Sequence, residues 1–124
     1  MNYFNMLDKK IIIAALKEDI GKGDITTKLL ISPKIKKEAI ILAKEKGVVC
    51  GIQIAGLVFK TANRKIEFVP LVKDGYKVNK DTVLAKLYGS ASHILSAERV
   101  ALNFLGFLSG VATYTNKFVT QIQG

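Results

Sequence analysis

Residues 92–113 restrict this chain more than any other stretch, because they join a helical apolar period to only two charged residues, Glu98 and Arg99. At about 3.6 residues per turn, Arg99, Asn103, Gly106 and Gly110 share one face. Ile94, Leu95, Ala101, Leu102, Leu105, Leu108 and Ala112 lie on broad apolar flanks. A strand cannot use that period, so the run predicts a long helix with much apolar surface to cover. Arg99 is one of two arginines among 19 basic residues. Its planar fork suits a carboxylate or a phosphate in a way that the compact lysine ammonium does not. Two uses stay open on chemistry alone: holding an external anion, or an internal salt bridge or snorkelling contact. His93 has no second ligand or nucleophile beside it in sequence, and is read as structural or solvent-exposed.

A length of 124 residues provides one domain, or one domain plus part of another. The net charge of +9 comes almost entirely from lysines spread between Lys9 and Lys117, without interleaved aromatic rings. That pattern describes a lysine-rich surface that attracts small anions, and the expectation is no nucleic-acid partner. Lys34-Ile35-Lys36-Lys37 is the densest cluster and reads as a solvated loop. The single cysteine, Cys50, excludes an intrachain disulfide, and no Cys/His cluster suggests zinc. A reducing, cytoplasmic location fits, and the first eight residues lack the pattern of a signal peptide. The uncharged stretch 100–116 sits at the lower length limit for a bilayer span and is diluted by Asn103, Ser109 and Thr113, so no membrane partner is expected.

Residues 7–19 read as an opening amphipathic helix, stopped by Gly21-Lys22-Gly23, with Asp24 placed as an N-cap or Asx-turn residue. The Gly-x-Gly-Asp string does not follow a strand or carry a Lys-Ser/Thr pair, so it reads as a turn and not as a phosphate loop. Strands are expected at 39–43 and 47–51 around a Lys44-Glu45-Lys46 turn, then a helix over 53–61, then strands at 65–71 and 82–88. The order helix, strand, strand, helix, strand, strand, helix defines a segregated α+β fold. Residues 72–89 resemble in shape the β-hammerhead of biotinyl and lipoyl carriers, but no modifiable lysine stands in their characteristic setting.

Four segments taken in order carry a more specific resemblance. They are Glu18-Asp19-Ile20-Gly21-Lys22-Gly23-Asp24-Ile25-Thr26-Thr27, Gly47-Val48-Val49-Cys50-Gly51, Asp74-Gly75, and Glu98-Arg99-Val100-Ala101-Leu102-Asn103-Phe104-Leu105 with Leu108-Ser109-Gly110-Val111-Ala112-Thr113. Together they resemble quinolinate phosphoribosyltransferase, also called nicotinate-nucleotide pyrophosphorylase (carboxylating), over nearly the whole chain. At Asp81-Thr82 that family usually shows a Gly-Asp pair, so a different turn geometry is expected after Lys80.

The resemblance implies an α+β fold: an α/β-hammerhead N-terminal domain at residues 1–110, with residues 111–124 as the start of a truncated C-terminal α/β barrel domain. It implies a pentosyltransferase of NAD biosynthesis that converts quinolinate and phosphoribosyl pyrophosphate to nicotinate mononucleotide, pyrophosphate and CO2. Mg²⁺ serves the full-length enzyme, and none is expected to bind these residues alone. The expected assembly is a homodimer or higher oligomer, in which the arginine matching Arg99 reaches the neighbouring subunit and binds a quinolinate carboxylate. No catalytic or metal-binding residue is assigned, because the resemblance places those in the barrel. Asn103, Gly106 and Gly110 are expected to let the helix pack closely where it crosses into that barrel. Alone, the chain is expected to be inactive. The alternatives are a stand-alone binding or dimerisation module, and the molybdenum-associated homologue of the same architecture.

Overall fold

The computed structural model describes the backbone of residues 3–23 and 32–123, and side chains within 9–19 and 32–113. Helix α1 spans Tyr3–Gly23, strand β1 Lys36–Leu42, strand β2 Gly47–Val48 and helix α2 Ile52–Ala62. Strands β3 (Glu67–Pro70), β4 (Lys77–Val78) and β5 (Val83–Ser90) follow, and helix α3 occupies Ala91–Gln123. The α+β reading stands. The expected stop at Gly21-Lys22-Gly23 is the last turn of α1, while Asp24 lies outside the described residues.

The strands form two antiparallel sheets, one in the order β1-β5-β3 and one pairing β2 with β4. The expected neighbours β1 and β2 therefore never pair, and Lys44-Glu45-Lys46 links two sheets and makes no hairpin. The cause is a contact distant in sequence: Ala43 donates its N–H to the Thr82 carbonyl at 3.0 Å and accepts from the Asp81 N–H at 2.8 Å. The chain leaving β1 is thus held to the turn before β5. Asp81 in that turn has φ of 71°, a left-handed conformation that favours glycine. The turn thus takes a glycine-favouring geometry with an aspartate in it.

Alternation along β5 sends Leu87 and Ala85 inward and Lys86 and Tyr88 to solvent. The helices cover the inner face. Ala55, Val58 and Phe59 of α2, spaced by three and four residues, bury one stripe against the sheet and its neighbours. Ile94, Ala97, Ala101 and Leu105 of α3, with Val100 beside them, bury another. Ile12 and Leu16 of α1 close the same core. Phe59 is 1 % exposed, and its ring stacks on Phe68 at 6.1 Å between centroids. Gly56 allows that approach, since a Cβ there would lie 2.7 Å from the Phe68 ring.

The apolar flanks of α3 divide differently from the sequence expectation. Leu95 and Leu102 are exposed, and Phe107 is 72 % exposed. A Cβ on Gly106 or Gly110 would meet nothing within 4 Å, so within the described residues this glycine face has no close partner. By length and composition Ala91–Thr113 is long and apolar enough to cross a membrane. The helix nevertheless spends one of its stripes on the domain's own core. It also runs unbroken through residues 110 and 111.

Candidate functional site

Helix α3 brings the motif segments together, and it starts from a tight junction. Gly89 lets β5 pass close to Ile66, where a Cβ would lie 3.2 Å from the Ile66 Cα. The Ala91 N–H then donates to the Ile35 carbonyl at 2.9 Å. His93 Nδ1 bonds the Ser90 hydroxyl at 2.9 Å, and the Ser96 hydroxyl donates to the Ser92 carbonyl at 2.9 Å. His93 is thus part of the strand-to-helix corner, in line with its structural reading.

Further along, two hydroxyls one turn apart clasp a backbone. Ser109 Oγ accepts from the Cys50 N–H at 2.9 Å and donates to the Cys50 carbonyl at 3.0 Å. Thr113 Oγ1 accepts from the Val48 N–H at 2.9 Å. On the other side, Val49 donates to the Tyr76 carbonyl at 2.9 Å and accepts from the Gly75 N–H at 2.8 Å. The segment 48–50 is therefore bonded alternately to α3 and to the turn before β4, which satisfies groups that a two-residue strand would leave open. Gly47 and Gly51 admit the helix: a Cβ on Gly47 would lie 2.6 Å from Thr113 Oγ1, and one on Gly51 2.8 Å from Leu108 Cδ1.

Asp74 completes this corner by accepting from the Gly51 and Ile52 N–H groups at 3.0 and 3.1 Å. Its charge sits at the positive end of α2, where a carboxylate is favoured. Burial, and then the Asp74 charge, push the Cys50 thiol up. Cys50 is accordingly held as a protonated thiol and a poor nucleophile at neutral pH. Ser109→Ala is expected to leave the Cys50 N–H without its acceptor, a loss of about 1–3 kcal/mol. Amide exchange at Cys50 should rise about tenfold or more, and by a larger factor than in β5, the central strand of its sheet.

Arg99 stands outside this packed network. Its side chain is 72 % exposed, and Nη1 lies 3.4 Å from Oδ1 of Asp19, whose side chain is 17 % exposed. The sequence alternatives of salt bridge and anion contact thus meet in one residue: Arg99 has a carboxylate neighbour yet stays open to solvent. An exposed pair of this kind adds only about 0–1 kcal/mol to folding. Asn103 is likewise exposed. Sequence reasoning missed Asp19, Ser109 and Thr113 as partners; hydroxyls spaced by four residues in an apolar helix were the available signal for the last two.

Among the described residues, no group of three or more His, Cys, Asp or Glu side chains is placed to hold a metal ion. Two of the motif carboxylates are already engaged, Asp74 by two N–H groups and Asp19 by a guanidinium. These residues do not fit a Mg²⁺ site, which needs several convergent oxygens.

A small α+β domain that ends in a long helix, clasped through Ser109 and Thr113 and bearing an exposed arginine, is the class this geometry defines. Residues 24–109 match the family model for the quinolinate phosphoribosyl transferase N-terminal domain, and the chain belongs to that family. It is 41 % identical over 108 residues to a chloroplastic nicotinate-nucleotide pyrophosphorylase (carboxylating) of Oryza sativa subsp. japonica, covering 86 % of this chain and 29 % of the rice protein. It is 40 % identical over 110 residues to a mitochondrial quinolinate phosphoribosyltransferase (decarboxylating) of Nicotiana glauca, covering 88 % of this chain and 31 % of that protein. The crystal structure of NadC from Streptococcus pyogenes superposes with a TM-score of 0.90 at 30 % identity, over 100 % of this chain and 44 % of that one. The chain therefore spans less than half the length of each of these relatives.

Proposed function

We propose that this chain is the N-terminal part of a quinolinate phosphoribosyltransferase, the enzyme that joins quinolinate to phosphoribosyl pyrophosphate and releases nicotinate mononucleotide, pyrophosphate and CO2. The observation that carries the reading is the exposed Arg99 side chain, which α3 holds outside the domain's own core. In this reading the domain of one subunit lies over the barrel of another, and residues 111–124 lead into the barrel. Arg99 then meets one of quinolinate's two carboxylates. A charge-assisted, two-pronged contact orients the pyridine ring as it neutralises the carboxylate. Phosphate and metal binding need several convergent groups, which belong to the barrel, so the chain alone is inactive. A cytoplasmic location is part of the proposal; the plant relatives carry chloroplastic and mitochondrial names.

Complementation tests this directly. The chain, mixed with the separately produced barrel of the Streptococcus pyogenes relative, is expected to form a complex that makes nicotinate mononucleotide when neither part does so alone. Absence of both complex and turnover contradicts the reading.

The exposed side chains Leu95, Leu102, Phe107 and Val111 also favour a second reading, a stand-alone dimerisation module. Both readings predict concentration-dependent self-association of the isolated chain through these exposed side chains. Light scattering should show dimers or larger species that Phe107→Glu disperses. A clean monomer at high concentration would leave these side chains without a partner-binding role.

A further inference from the structure

We infer that Asp19 is a positioning residue for Arg99, holding one edge of the guanidinium so that the rest of the fork is presented to a carboxylate outside the chain. The inference rests on the quinolinate role proposed for Arg99. Ile12, Leu16 and Asp19 follow one another at spacings of four and three residues, so they share one face of α1. The first two are sunk in the core. Asp19 continues their stripe to its rim and is itself mostly covered, whereas Arg99 is mostly exposed. The carboxylate is thus the fixed member of the pair and the guanidinium the free one.

Contact runs through Nη1 alone, at 3.4 Å. Most of the five donors of an arginine fork therefore remain for another acceptor. An unheld arginine side chain spreads over many rotamers, and fixing it before the ligand arrives removes an ordering cost from binding. Asp19 also joins two of the motif segments, the one at 18–27 and the one at 98–105, which are far apart in sequence and meet here through this pair.

The test uses the complemented enzyme. Asp19→Asn keeps the shape and removes the charge; it is expected to raise the KM for quinolinate about fivefold or more with kcat changed less than twofold. Asp19→Glu should restore most of the loss, and Asp19→Asn should add nothing in an Arg99→Ala background. On the isolated chain, ¹⁵N relaxation at Arg99 Nε should show a restrained side chain that Asp19→Asn frees, with circular dichroism confirming that the variant is folded. An unchanged or lowered KM in Asp19→Asn, or the same change in the Arg99→Ala background, overturns the inference while leaving the role of Arg99 intact. Unchanged quinolinate kinetics in Arg99→Ala overturn the parent reading instead. Should the wild-type pair give neither complex nor turnover, the parent reading fails, and equal Arg99 mobility in wild type and Asp19→Asn overturns the contact independently.

Discussion

Arg99→Ala is expected to cut kcat/KM for quinolinate by about thirtyfold or more in the complemented enzyme, and to leave the stability of the isolated chain within about 1 kcal/mol. The two halves of that expectation have separate causes. In the free chain the guanidinium is mostly in water, and its pairing with Asp19 at 3.4 Å adds little. Covered by a barrel and facing a substrate carboxylate, the same group would be desolvated, and truncating one member of such a pair costs about 2–5 kcal/mol. Each 1.4 kcal/mol is a factor of ten. Arg99→Lys should recover only part of the loss, since an ammonium keeps the charge but not the fork. Steady-state kinetics at varied quinolinate, together with thermal melts of the chain, check both halves.

Phe59→Ala is expected to destabilise the fold by about 3–5 kcal/mol. Phe59 is 1 % exposed at the middle of the core, on the helix that carries the Asp74-capped end, and its ring stacks on Phe68 of β3. Removing it leaves Phe68 without its stacking partner and opens a void that Ala55 and Val58 are too small to fill. A domain of this size has a total stability of about 5–15 kcal/mol. The variant should therefore unfold at a much lower urea concentration. Phe59→Leu, which keeps most of the volume, should lose far less. A midpoint shift of similar size in both variants would mean that the aromatic stack on Phe68, and not the filled volume, carries the loss.

What was legible in the sequence follows the range of the interactions. Helices α2 and α3 could be read because their burial repeats every three to four residues along one segment, as at Ala55, Val58 and Phe59. Strand β4 left no such trace, since two residues, Lys77 and Val78, cannot show a period. The partner of β1 was hidden because Ala43 is held by Asp81 and Thr82, which lie beyond α2 and β3 in the chain. Arg99 stood out by residue type alone. Its neighbour Asp19 did not, because no local rule connects residues on different helices. The glycines at 106 and 110 were expected to pack against a barrel, and the domain itself leaves open space around them among the described residues.

The central claim is that these residues act as the N-terminal part of a barrel-containing transferase. The most direct measurement is the intact mass of the native protein, captured from its source cells with an antibody against residues 32–113. The account predicts either a single polypeptide well above 13.6 kDa or a 13.6 kDa chain held in stoichiometric complex with a separate barrel subunit. A 13.6 kDa species free of any barrel partner would contradict it.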